Sequence, residues 1–153
     1  RGLRGKPLPA ARLHVTLHHL GDYAGLPSGL IATAKEVAAR VAMPAFEVTF
    51  DSASSFAGRP RQRPLVLRGD EVGVAALQSL QRALGDAMTA AGLSRHVERK
   101  FVPHITLLYD DKLLAPMSIE RVAWTVCEFA LMHSLIGRRD YRMLGRWPLF
   151  ENS

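Results

Sequence analysis

Polar and apolar positions alternate in short runs along much of the chain, and two stretches break into helical spacing. Arg12 to Leu20 (RLHVTLHHL) carries strand-type alternation closed by the turn residues Gly21 and Asp22. After Gly25-Leu26-Pro27, Ser28 is placed to cap a helix whose apolar positions Leu30, Ala34, Val37 and Val41 recur at helical spacing until Pro44 stops it. Phe46 to Phe50 and Pro64 to Leu67 read as strands around a Gly/Pro/Arg loop at 57–63. A second helix is expected between Val72 and Ala91, with Ala76, Leu80, Leu84 and Met88 on one face and Gly92 as its C-terminal cap. Strands then return at His104 to Tyr109, Trp124 to Ser134 and Tyr141 to Phe150. This order lacks the regular strand–helix alternation of a doubly wound parallel sheet, so the fold class expected is α+β.

One short pattern occurs twice. His14-Val15-Thr16-Leu17 and His104-Ile105-Thr106-Leu107 are both His-x-Thr-Leu with a β-branched second residue. Only six Thr are available in the chain, so two such coincidences among six His are rare. On a strand, His and Thr of each motif project to one face and the intervening residues to the other. Each motif therefore presents an imidazole beside a hydroxyl. One strand of this type and one amphipathic helix in each half suggest a single domain, 1–153, made of two lobes related by approximate two-fold symmetry.

Imidazole titrates near neutral pH, so one histidine can take a proton from an attacking water while the other gives one to a leaving oxygen. Threonine hydroxyls can donate to the non-bridging oxygens of a phosphate as charge builds on them. Composition agrees with such a target. A net charge of +6 and a pI near 10.1 favour anionic partners, nucleic acid among them. Cys127 is the only cysteine, and no apolar run reaches membrane-spanning length, so a soluble, cytoplasmic protein with no membrane partner is expected. A monomer without cofactor is expected as well, since the two histidines require no metal.

The two motifs resemble the signature of the two-histidine (2H) phosphoesterase superfamily. His14 to Gly21 is similar to the HxTLxFLG stretch of its RNA 2′,3′-cyclic phosphodiesterase branch, often labelled 2′-5′ RNA ligase. Phe101 to Leu107 is similar to that branch's FRPHITL, and Tyr141 to Leu149 to its closing Y-x-x-L-x-x-W-x-L strand. The resemblance implies a bilobal fold of two antiparallel sheets around a central cleft, with helices outside. It implies hydrolysis of a cyclic phosphate end of RNA, or of a related nucleotide, to a 2′-phosphate without a metal. His104 would be the base, His14 the acid, and Thr16, Thr106 and Arg142 substrate contacts. Reverse ligation follows in principle. Val102 stands where the branch has Arg, with Arg99 or Lys100 as substitutes, and His19 stands where it has Phe. Only 13 residues precede His14, so the first lobe is expected either to lack an edge strand or to have a trimmed N-terminus.

Other residues carry competing readings. His18 either shares the face of His14 or is an ordinary strand histidine. A zinc site from His14, His18 and His19 is disfavoured, because neighbouring strand positions diverge and no Cys or carboxylate completes it. Arg59, Arg61, Arg63 and Arg68 read mainly as a basic surface. Arg138, Arg139, Arg142 and Arg146 rank higher, Arg142 and Arg146 because they share one strand face. Trp124, Trp147 and Phe101 read as core rather than stacking platforms. The rival function is a non-catalytic module that binds RNA ends, which would need cations more than titratable imidazoles.

Overall fold

The computed structural model describes residues 3–135 and 141–151. Its elements in chain order are α1 (Ser28–Ala39), β1 (Phe46–Ser55), β2 (Arg63–Arg68), α2 (Ala75–Ala90), β3 (Ile105–Asp110), β4 (Met117–Val126), β5 (Glu128–Ser134) and β6 (Tyr141–Pro148), with 3₁₀ turns at Ala10–Arg12 and Ser94–His96. The class is α+β. Four strands form a sheet in the order β3-β2-β1-β4, and β5 pairs with β6 in a second sheet.

By packing, the described chain divides into two compact units. Of the described residues, the first holds those within 1–16, 48–75 and 102–124, and the second those within 17–47, 76–101 and 125–153. Both His-x-Thr segments fall in the first unit rather than one in each.

In the first unit, β1 and β2 run antiparallel, with Ser52 opposite Arg68 and Ser54 opposite Val66. β2 and β3 are also antiparallel, with Val66 opposite Thr106. The register slips at Leu107, which bulges out of the ladder and puts Leu108 opposite Leu65. The bulge resets the alternation, so buried Leu108 joins Leu65 on one face while Thr106 joins Val66 and Ser54 on the other. Val48, Phe50, Ala53, Leu65, Val66 and Leu108 are the buried apolar residues of these strands. Trp124 meets Phe50 edge to face at 5.3 Å, as the core reading required.

In the second unit, Ala38 of α1, Leu80 of α2, Phe129 of β5 and Leu149 share one cluster, with Leu17 and Trp147 against it. Trp147 stacks on Phe129 at 5.8 Å. Val37, Met88 and Leu93 form a second cluster. The helix ends follow local chemistry with one exception. Gly92 takes φ +84°, the left-handed conformation that ends α2. Ser28 does not cap α1: Pro27 occupies the cap position without a side-chain bond, and Ser28 is already helical.

Three strand expectations change. Arg12 to Leu20 is not a strand, because its backbone groups find side-chain or local partners: the Leu17 carbonyl accepts from Gln81 Nε2 at 3.4 Å, and the Leu13 N–H donates to the Ala10 carbonyl. Trp124 to Ser134 is two strands in different sheets, broken at Cys127, whose carbonyl accepts the Leu149 N–H at 2.8 Å. The strand from Phe46 continues past Phe50 to Ser55. Among the described residues no helix is long and apolar enough to cross a membrane.

Candidate active site

Each motif histidine is held by the same short loop. His14 Nδ1 lies 2.7 Å from the Arg12 carbonyl, and His104 Nδ1 lies 2.7 Å from the Val102 carbonyl, in both cases two residues back. A carbonyl only accepts, so Nδ1 must carry the proton in both rings. Nε2 is then the nitrogen that gains or loses a proton, with the carbonyl fixing the tautomer. The local sequence makes this loop cheap. Pro103 pushes Val102 toward extended backbone, and Leu13 is itself extended at φ −73°, ψ 127°, after the 3₁₀ turn. His14 and Thr16 are exposed, and His104 and Thr106 are half-buried.

An arm at the start of the chain ties the two segments together. The N–H groups of Arg4 and Gly5 donate to Asp110 Oδ2 at 2.6 and 2.7 Å, and the Leu8 N–H donates to the Leu107 carbonyl at 2.7 Å. Lys112 N–H donates to Asp110 Oδ1 at 3.0 Å. The backbone donors of Lys112, Gly5 and Arg4 hold the Asp110 carboxyl far below the usual carboxylate range. The arm lies so close that a Cβ on Gly5 would clash with the Tyr109 carbonyl oxygen. Thus the segment leading to His14 is fastened to β3, the strand that begins immediately after His104.

Phe56 lies outside both motifs. Its ring meets His104 edge to face at 4.8 Å, and the Arg68 guanidinium lies 5.6 Å over the Phe56 ring. Its one signal in the sequence is the alternation of Ser52, Ser54 and Phe56, which continues β1 beyond Phe50. Arg68, read from the sequence as part of a basic surface, sits at the end of β2 on this same face. Arg63 instead donates from Nη1 to the Asp111 carbonyl at 2.7 Å.

The remaining candidates go elsewhere. His18 belongs to the second unit as a structural tie: Nε2 donates to the Gln81 carbonyl at 2.9 Å, and Nδ1 accepts the Glu98 N–H at 3.0 Å. Burial lowers its pKa, against the Gln81 carbonyl and Glu98, which pull it up. Gln81, buried on α2 where only apolar residues were expected, donates Nε2 to the Glu98 carbonyl at 2.8 Å. His19 faces Asp22 at 3.5 Å on the surface. Among the described residues no group of three or more His, Cys, Asp or Glu is placed to hold a metal ion. Arg142 and Arg146 do not share a face. Arg142 pairs with His133 and Arg146 with Ala130, three positions apart on β5, because β6 bulges between them. Arg146 also contacts Glu128 at 3.4 Å. Arg138 and Arg139 lie outside the described residues.

Fold and motifs together define a phosphoesterase of the two-histidine class. The sequence model of the 2′-5′ RNA ligase superfamily matches residues 1–138, and the chain belongs to that superfamily. No curated protein matches it. Among solved structures it is similar to Escherichia coli LigT complexed with ATP, at 28% identity and TM-score 0.71 over 96% of this chain and 81% of that one. It is similar to LigT complexed with 3′-AMP at 30% identity and TM-score 0.64, covering 97% and 83% of the two chains. The protein TT0787 of Thermus thermophilus, at 23% identity and TM-score 0.72 over 97% and 84%, shares the fold.

Proposed function

We propose that this chain hydrolyses the 2′,3′-cyclic phosphate end of RNA, or a related small nucleotide phosphodiester, to a 2′-phosphate. The observation that carries the proposal is the matched anchoring of His14 and His104, each with Nδ1 on the carbonyl two residues back, which makes Nε2 the proton-transferring atom. Neutral His104 takes a proton from water at Nε2 as the water oxygen bonds to phosphorus. Protonated His14 gives its Nε2 proton to the 3′-oxygen as the P–O bond breaks, freeing the 3′-hydroxyl. Thr16 and Thr106 hydroxyls donate to the non-bridging oxygens, where negative charge accumulates. With a 5′-hydroxyl in place of water, the same steps would open the cyclic phosphate to a 2′-5′ phosphodiester, the 3′-oxygen again leaving as the hydroxyl. The crystallisation of E. coli LigT with ATP and with 3′-AMP supports a nucleotide as ligand.

The test is hydrolysis of a dinucleotide ending in a 2′,3′-cyclic phosphate, with EDTA present and on protein free of nuclease. His14→Ala and His104→Ala should each lower kcat by about 10²–10⁴-fold while melting like the parent. A variant with undiminished turnover would end the acid–base assignment. Loss of activity in EDTA, restored by Mg²⁺ or Zn²⁺, would end it as well.

A further inference from the structure

We infer that the Phe56–Arg68 pair is the positioning element for the His104 imidazole. The inference rests on the acid–base assignment above and adds residues that assignment does not use. A single hydrogen bond from Nδ1 to the Val102 carbonyl fixes one point of the ring and leaves its plane free to swing. The edge-to-face contact with Phe56, at 4.8 Å and 71° between planes, supplies the second constraint. Together they set the direction of Nε2, and catalytic geometry tolerates only small errors of this kind.

Phe56 is itself held. Its backbone N–H donates to the Pro64 carbonyl at 2.9 Å, extending the β1–β2 ladder by one residue beyond Ser55. Its ring carries the Arg68 guanidinium at 5.6 Å, a cation over an aromatic ring. Arg68 is fixed in turn at the end of β2, opposite Ser52, whose hydroxyl donates to the Arg68 carbonyl at 3.3 Å. Between Phe56 and Ser52 on this face stands Ser54, too small to lift the ring away from the sheet. His104 is thus aimed by a chain of contacts rooted in three adjacent strands.

Three variants test the inference. Phe56→Leu keeps an apolar side chain but loses the ring, and should lower kcat by about 10–100-fold with KM within about twofold. Phe56→Tyr retains the ring and should restore kcat. Arg68→Met, away from the core, should lower kcat by about threefold. NMR line widths of the His104 ring give a readout independent of turnover: in Phe56→Leu the ring signals should broaden as the plane swings about its Nδ1–carbonyl hydrogen bond. An inactive parent protein would remove the hydrolytic assignment, yet the NMR comparison would still decide the role of Phe56. Phe56→Leu with parental kcat, or His104 ring signals as sharp as the parent's in both Phe56→Leu and Arg68→Met, would overturn the inference. A loss confined to KM would do the same.

Discussion

In the acid–base assignment proposed for His14 and His104, two histidines of one local geometry act in opposite protonation states. The Nδ1 atoms of His14 and His104 are committed to carbonyls, so each ring exchanges its proton at a single, defined nitrogen. The expected result is a bell-shaped dependence of kcat/KM on pH, with two apparent pKa values that belong to the pair. Rates measured from acid to alkaline pH would show it, and a monotonic profile would contradict it. His18 makes a contrasting case, since its neutral form is the one that fits between Gln81 and Glu98. Its folded pKa is lowered, so the unfolded chain binds the proton more readily, and the stability it contributes is present above ~6.5 and falls as the pH drops below it. Thermal melts between about pH 7 and pH 5 should show a shallower acid-side loss in His18→Ala than in the parent. An equal slope would mean that His18 is not the group responsible.

Among the elements, what the sequence made legible follows from where local pattern decides structure. Both helices, and the cores of β2, β3 and β6, carry their own signals in spacing and turn residues. The segment 12–20 alternates as a strand does, yet alternation reports which side chains face which way, and pairing depends on a partner far along the chain. The Trp124–Ser134 run offers no Gly or Pro at Cys127, so nothing local marks the passage from one sheet to the other. Bulges at Leu107 and Leu144 are equally silent, and the second one separates Arg142 from Arg146. The His-x-Thr motif is legible because it recurs, whereas the Phe56–His104 contact exists only through the β-sheet register. Gln81 illustrates the same limit: a polar residue inside a helical face is invisible to hydrophobic periodicity, yet its amide closes two carbonyls of other segments. Gln81→Leu should therefore destabilise the fold by about 1–3 kcal/mol, measured by denaturant unfolding, since those carbonyls would lose their donor. Stability equal to the parent would show that solvent replaces it.

On the scale of the whole molecule, charge and the N-terminal arm have consequences that no single residue shows. A net charge of +6 attracts a polyanion over several ångströms and is screened by salt. KM for an oligonucleotide ending in a cyclic phosphate should rise with ionic strength more steeply than KM for a mononucleotide, because more phosphates are engaged. Steady-state kinetics at two salt concentrations would reveal parallel behaviour if the charge plays no part. The arm that fastens the approach to His14 onto β3 has another effect. β3 is an outer strand, and outer strands offer unpaired backbone groups to any chain that drifts alongside. Leu8 occupies the Leu107 carbonyl, and the Gly5 contact leaves no gap at Tyr109. Gly5→Ala, which forces a methyl against that carbonyl, should therefore loosen the arm. It should uncover a growth edge, and light scattering should record concentration-dependent self-association that the parent resists. The segment that leads to His14 would then also keep one molecule from becoming a template for the next.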